Sequence, residues 1–196
     1  MARKTVREER KKQILQALDK CLLEKSFEHT SIKDISRAAA VNHGVLHYYF
    51  KSKEDILLQY IDYVVDYFKA LVQERLSRSD VQEMSRREFV TEVFAFVNNR
   101  ITLNKNLSKI FVEIWEISLY NRDVRLKLRN AYKEWISILT ANIAGGSTDA
   151  ETAAVISAAM VAFWEGMAMF STVFEEHDLD MTEVLARFQQ RILEIL

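Results

Sequence analysis

Proline is absent from all 196 residues, and glycine occurs only at positions 44, 145, 146 and 166. Both residues break or weaken helix interiors, and both supply most tight turns of sheet proteins. Their scarcity, with no evident period-two alternation, excludes a turn-rich β-sandwich or barrel and predicts long helices. The single cysteine, Cys21, excludes an internal disulfide and with it the stapled scaffolds of small secreted domains. No signal-peptide apolar stretch and no apolar run of transmembrane length stands out, so a soluble cytoplasmic protein is expected. Charge of one sign is not in excess either, with 27 basic against 28 acidic residues. Missing too are a glycine-rich phosphate loop, a His-Glu-x-x-His pair and any convergent acid, base and nucleophile. The carboxylates lie among lysines and arginines as they do on solvated helix faces, so no enzyme is expected.

What is present is helical periodicity, and the fold class it predicts is all-α, with about nine helices. From about Arg7 to Lys25 the residues Ile14, Leu15, Leu18, Cys21 and Leu22 recur at three and four. Cys21 on that stripe reads as a small buried hydrophobe. Further helices are expected at 53–77, 85–103, 105–120, 122–144, 149–175 and 181–195. Gly145 and Gly146 end one of them, Thr148 with Glu151 forms a capping box for the next, and Asp180 with Glu183 another.

The densest punctuation lies in Thr30–Lys53, TSIKDISRAAAVNHGVLHYYFKSK. Ser31 and Asp34 make a capping box, so a helix starts at Ile32 with Ile35 and Ala39 on its apolar stripe. Asn42 caps a second helix after a small-residue turn. Val45, Leu46, Tyr49 and Phe50 give that helix a buried side, which leaves His43, Gly44, His47 and Tyr48 facing out. Ser52 and Asp55 open a third helix, with Lys51 and Lys53 at the junction. Two short braced helices of this kind suit a helix-turn-helix, and equally an ordinary helical hairpin with a polar outer face.

In register, Thr30, Ser31, Ile32, Ile35, Ala39, Val41, Gly44, Leu46, Tyr49, Phe50, Ser52, Lys53, Glu54 and Leu57 resemble the DNA-binding domain of TetR-type (tetracycline-repressor-like) transcriptional regulators. The resemblance covers about 45 residues. It implies a DNA-binding head at 1–50 and a ligand-sensing and dimerisation bundle at 51–196. Two positions depart from the family pattern. Ala40 stands where the family has glycine, in a turn whose left-handed backbone costs alanine about 1 kcal/mol. His47 replaces a tyrosine that in the family commonly touches DNA.

The expected DNA-contacting residues are Arg3, Lys4, Thr30, Ser31, Asn42, His43, Gly44, Val45, His47, Tyr48, Lys51 and Lys53. Arg3 and Lys4 belong to a basic run, RKTVREERKK, with a local charge of plus four that suits an anionic partner. His43 and His47, one helical turn apart, have a spacing that can hold a metal, but no third ligand is obvious, so DNA contact is the stronger use and no metal site is assigned.

The segment 155–174 is apolar almost all round and needs two buried sides, one of them reasonably a second subunit. The expected homodimer surface comprises Val155, Ala159, Phe163, Met167, Phe170, Val184, Phe188 and Ile192. Two-fold symmetry then predicts a palindromic double-stranded DNA operator. By resemblance the bundle holds a small-molecule effector of unknown identity, and no other cofactor is expected. Tyr63, Tyr67, Phe94, Phe111, Trp115, Trp135 and Phe163 are candidates to line its site, although aromatics at helical spacing are more often core. Convergence of Trp115 and Trp135 with a carboxylate would favour a cationic amine. The resemblance implies a ligand-released repressor; the alternative is a DNA-binding or protein-interaction module of the same fold without an inducer.

Overall fold

A computed structural model describes residues 2–76, 84–145 and 148–196, the side chains of residues 2–5, 72, 73 and 76 excepted. These residues form α1 (Ala2–Glu24), α2 (Ile32–Ala38), α3 (His43–Tyr49), α4 (Lys53–Leu76), α5 (Arg86–Val97), a π-helical turn (Asn98–Thr102), α6 (Lys105–Tyr120), α7 (Arg122–Ile143), α8 (Ala150–Phe170) and α9 (Met181–Ile195). The all-α expectation holds. The segment expected as one helix over 85–103 divides into α5 and the π turn, and α8 stops at Phe170. The basic run at the N-terminus belongs to the first turns of α1.

Most expected caps are in place. Asp34 N–H donates to Ser31 Oγ at 3.2 Å while Ser31 N–H donates back to Asp34 Oδ2 at 2.9 Å. Val45 N–H donates to Asn42 Oδ1 at 2.8 Å, and Asp55 N–H to Ser52 Oγ at 3.1 Å. The cap of α8 is Asp149, not Thr148, its Oδ1 accepting from Thr152 N–H at 2.8 Å. Two backbone hydrogen bonds clip Thr148 to Gly145, whose φ of 119° only glycine adopts easily, and Asp149 is the next residue able to cap. Gly146 lies outside the described residues.

Packing divides the chain into two units, one of Met1–Ala70 with Ile110–Lys127, the other of Leu71–Lys109 with Leu128–Leu196. The first thus takes in residues beyond 50. In it Ile14, Leu18, Ile35, Leu46, Ile56 and Tyr60 are fully buried. Tyr60 donates its hydroxyl to Asp19 Oδ1 at 2.5 Å, and burial followed by that carboxylate pushes the phenol far up. Burial likewise raises the Cys21 thiol, which fits its reading as a core hydrophobe.

In the second unit Phe94, at 0% exposure, meets the Trp164 ring edge-on at 4.9 Å amid Val90, Met160, Met167, Leu185 and Ile192. Contrary to expectation, an apolar run of transmembrane length does exist: α8 is long and apolar enough to cross a membrane by length and composition. Here Ile156, Met160, Trp164 and Met167 place one side of it in the core of the second unit.

The turn between α2 and α3 aims the outward helix. Val41 N–H reaches Ser36 O at 3.0 Å and Ala40 N–H reaches Arg37 O at 3.1 Å, the paired bonds of a Schellman closure. Such a closure needs a left-handed residue, and Ala40 supplies it at φ 50°. From α1, Gln13 Nε2 donates to Ala39 O at 2.6 Å and braces the turn.

Relief of the Ala40 backbone, offset in part by the entropy of a freer unfolded chain, is expected to make Ala40→Gly up to about 1 kcal/mol more stable in urea titration; a loss of stability would show that the turn does not strain alanine. Asp34 provides a second test. Hydrogen bonds from Lys25 and then Ser31 hold its carboxyl well below the ordinary 3.8. A depressed folded value means that its contribution is complete above about pH 4 and is lost as the pH falls through the folded value. Asp34→Asn should therefore melt below the parent at about pH 7, with the gap narrowing below about pH 4. A gap constant down to about pH 2.5 would refute this.

Candidate nucleic-acid interface

Leu46 and Phe50, at 0% and 1% exposure, pin α3 into the first unit and fix which way it turns. His43, Gly44, His47 and Tyr48 are left on its open side, with the Tyr48 side chain 74% exposed. The His43 and His47 rings meet edge-to-face with centroids 4.5 Å apart. Val45 is half-buried, and Asn42 spends its side-chain oxygen on the cap.

The flanking candidates divide. Thr30 is buried at 1% exposure and donates its hydroxyl to Ser26 O at 2.9 Å, so it closes the loop after α1 and does not stand on the open face. Ser31 is exposed and donates its hydroxyl to Asp34 Oδ2 at 2.6 Å. Lys51 is exposed. Lys53 is committed: its ammonium donates to Phe27 O at 2.9 Å and Glu28 O at 3.3 Å and lies 4.4 Å from the centre of the Phe27 ring. The side chains of Arg3 and Lys4 lie outside the described residues. Two cations outside the expected set, Lys33 and Arg37, stand exposed one turn apart on α2, the helix that crosses the backbone in helix-turn-helix docking. Their i, i+4 spacing was the available signal.

The same loop after α1 borders a cleft of about 520 Å³ lined by Phe27, Glu28, Glu113, Glu116, Tyr120 and Arg122 among others. Phe27 N–H donates to Glu113 Oε1, tying the loop to α6.

The aromatics expected around an effector do not form one group. Tyr63, Tyr67, Phe111 and Trp115 belong to the first unit, Phe94, Trp135 and Phe163 to the second. Tyr67 and Trp115 are 52% and 42% exposed. Phe111 lies 6.3 Å from Phe68, and Tyr63 accepts a 3.4 Å hydrogen bond from Gln16 Nε2. Phe94 is core, and Phe163 stacks on Phe188 with centroids 3.7 Å apart. A different signal stands out in the second unit. Among the described residues, Asn98 Oδ1, Thr102 Oγ1 and Trp164 Nε1 are buried without a hydrogen-bond partner. Sequence reasoning missed all three, since neither the π turn nor an unmet hydrogen bond shows in residue spacing.

The expected dimer residues divide by face. Met167 and Ile192 are buried, and Phe163, Val184 and Phe188 pack against that core. Val155, Ala159 and Phe170 are exposed, in a stripe that also holds Ala158, Ala162 and Met169. Helical periodicity revealed an apolar helix but could not say which side its own core would take.

Residues 14–60 match the family model described as bacterial regulatory proteins, tetR family. Among solved structures, Salmonella enterica GusR is 21% identical, covering 94% of this chain and 95% of its own, with a TM-score of 0.69. A TetR transcription regulator from Haloarcula marismortui is 18% identical over 95% and 96%, with a TM-score of 0.75. FadR from Bacillus subtilis, solved in complex with stearoyl-CoA, is 20% identical over 93% and 95%, with a TM-score of 0.69. No curated protein matches the sequence. A braced seven-residue helix with an open polar face lies within the stretch that matches that family model: residues 14–60 are similar to the tetR family of bacterial regulatory proteins, and the chain shares its all-helical fold with solved TetR-type regulators.

Proposed function

We propose that the chain is a homodimeric, ligand-responsive repressor of transcription that reads a palindromic operator through α3. The observation that carries this reading is the open face of α3, where His43, Gly44, His47 and Tyr48 project from a helix pinned by Leu46 and Phe50. Residues 1–50 read DNA on this view, and 51–196 sense and dimerise. The exposed stripe of α8 supports the dimer: Val155 is 65% exposed beside Ala158, Ala159 and Ala162, whose small side chains let a second helix approach closely.

Support for an effector comes from the second unit. Leaving a buried donor or acceptor unpaired costs about 1–3 kcal/mol, so the unmet groups of Asn98, Thr102 and Trp164 favour a molecule that brings polar atoms to them. All three are uncharged, which suits a hydroxyl or carbonyl better than the cationic amine considered from the tryptophans. That FadR of Bacillus subtilis was solved with stearoyl-CoA agrees with a sensing role for this fold.

Selection from a pool of random duplexes should return a palindrome whose half-sites lie about one helical turn, roughly 10 bp, apart or a multiple of that. Asymmetric, unrelated sequences would overturn the reading. On the recovered duplex, Lys51→Ala should lower the slope of log affinity against log salt by about one for each phosphate that the lysine neutralises, leaving sequence preference intact; an unchanged slope removes Lys51 from the interface. For the dimer, Ala159→Glu places a charge on the open stripe and should yield a folded monomer in analytical ultracentrifugation. Sedimentation as an unperturbed dimer would move the interface elsewhere.

A further inference from the structure

Of the four histidines, His29 shares a 2.8 Å hydrogen bond with Ser26 and His177 stands 3.4 Å from Asp178. Among the described residues His43 and His47 have only each other, both exposed, with ring planes at 66°. An imidazole nitrogen binds a first-row metal ion at about 2.0–2.1 Å, which sets the ring centre about 3.2 Å from the ion. Two rings in adjacent positions about 90° apart on one ion then have centres about 4.5 Å apart. The observed separation is 4.5 Å. Chelation therefore asks only for rotation of two exposed side chains, with the backbone of α3 held still by Leu46 and Phe50.

We propose that His43 and His47 form a two-imidazole site for a transition-metal ion of the Ni2+ and Cu2+ class, whose square-planar or tetragonal shells set neighbouring ligands about 90° apart, with water completing the coordination shell. Neutral imidazole selects these ions over Mg2+ and Ca2+, which prefer oxygen. No group of three His, Cys, Asp or Glu side chains among the described residues is placed to hold a metal, so the site has two protein ligands and exchanges its ion readily. The consequence for DNA rests on the reading role proposed for α3. A bound ion takes one nitrogen of each imidazole and turns both rings toward itself, away from base edges, while its charge suits any phosphate. What falls is discrimination between sequences, more than affinity for DNA as such.

The test uses the untagged full chain without DNA. In a titration with NiCl2 followed by NMR, the ring Hε1 signals of His43 and His47 should broaden together, ahead of those of His29 and His177. Calorimetry should show His43→Gln and His47→Gln each at least tenfold weaker for Ni2+, and His29→Gln unchanged. Unaltered affinity in either of the first two variants, or broadening led by His29 or His177, overturns the site; the wild-type spectra decide even if a variant fails to fold. A separate titration with the selected duplex and a scrambled one should show their affinity ratio falling at least tenfold with NiCl2 and recovering with EDTA. A constant ratio overturns the effect on reading while leaving the metal site, and because the ion titration contains no DNA, failure of the DNA-reading role is distinguishable from failure of the site.

Discussion

The turn at Ala39–Val41 is the constraint on which the outward face depends. A Schellman closure fixes the direction in which the chain leaves α2, and a left-handed residue is its geometric requirement. Gln13 anchors Ala39 to α1, so the angle between α2 and α3 is set by hydrogen bonds and not by side-chain packing alone. Any relaxation of that turn would rotate Leu46 and Phe50 out of their sockets and carry His43, Gly44, His47 and Tyr48 with them. Alanine at this position keeps the geometry at the expense of local strain.

A second set of ties holds the loop after α1. Lys53 from the start of α4 binds its carbonyls, Glu113 from α6 accepts from Phe27 N–H, and Thr30 closes it from within. Lys25 and Asp34 join the end of α1 to the first turn of α2 at 2.7 Å. Lys53 and Glu113 thus hold the loop by charge-assisted bonds to backbone groups, which are stronger and more directional than exposed ion pairs. The second unit relies instead on aromatic packing around Phe94, Trp164 and Phe188.

Local chemistry was legible where it is local. Ser31, Asn42 and Ser52 announced helix starts because a cap is decided within four residues, and the helix segments followed from the absence of proline. Ala40 was legible as a strained turn because the family resemblance supplied the expected glycine. Lys53 was expected to meet DNA, and that its ammonium instead donates to the carbonyls of Phe27 and Glu28, some 25 residues away, is something no spacing rule reaches. Thr30 likewise turned inward to a carbonyl. On α8 and α9 periodicity found the apolar residues, but Met167 and Ile192 went to the unit's own core because which of two apolar sides faces inward is settled by tertiary packing. Asn98, Thr102 and Trp164 form a pattern of unmet hydrogen bonds, a property of three-dimensional surroundings with no sequence signature.

If α3 reads DNA in a dimer as proposed, its shortness bounds how much information one head can extract. Seven residues at about 1.5 Å each span about 10 Å, the rise of roughly three base pairs. Three fully read pairs per head, doubled by a partner, distinguish on the order of one site in four thousand, far coarser than the roughly 10⁶ or more competing positions of a genome. On that reading, the shortfall falls to contacts outside α3, such as the basic first turns of α1, and to the shape and deformability of the DNA between and around the two short helices, so an operator would be defined in part by base pairs that neither His43 nor Tyr48 reaches.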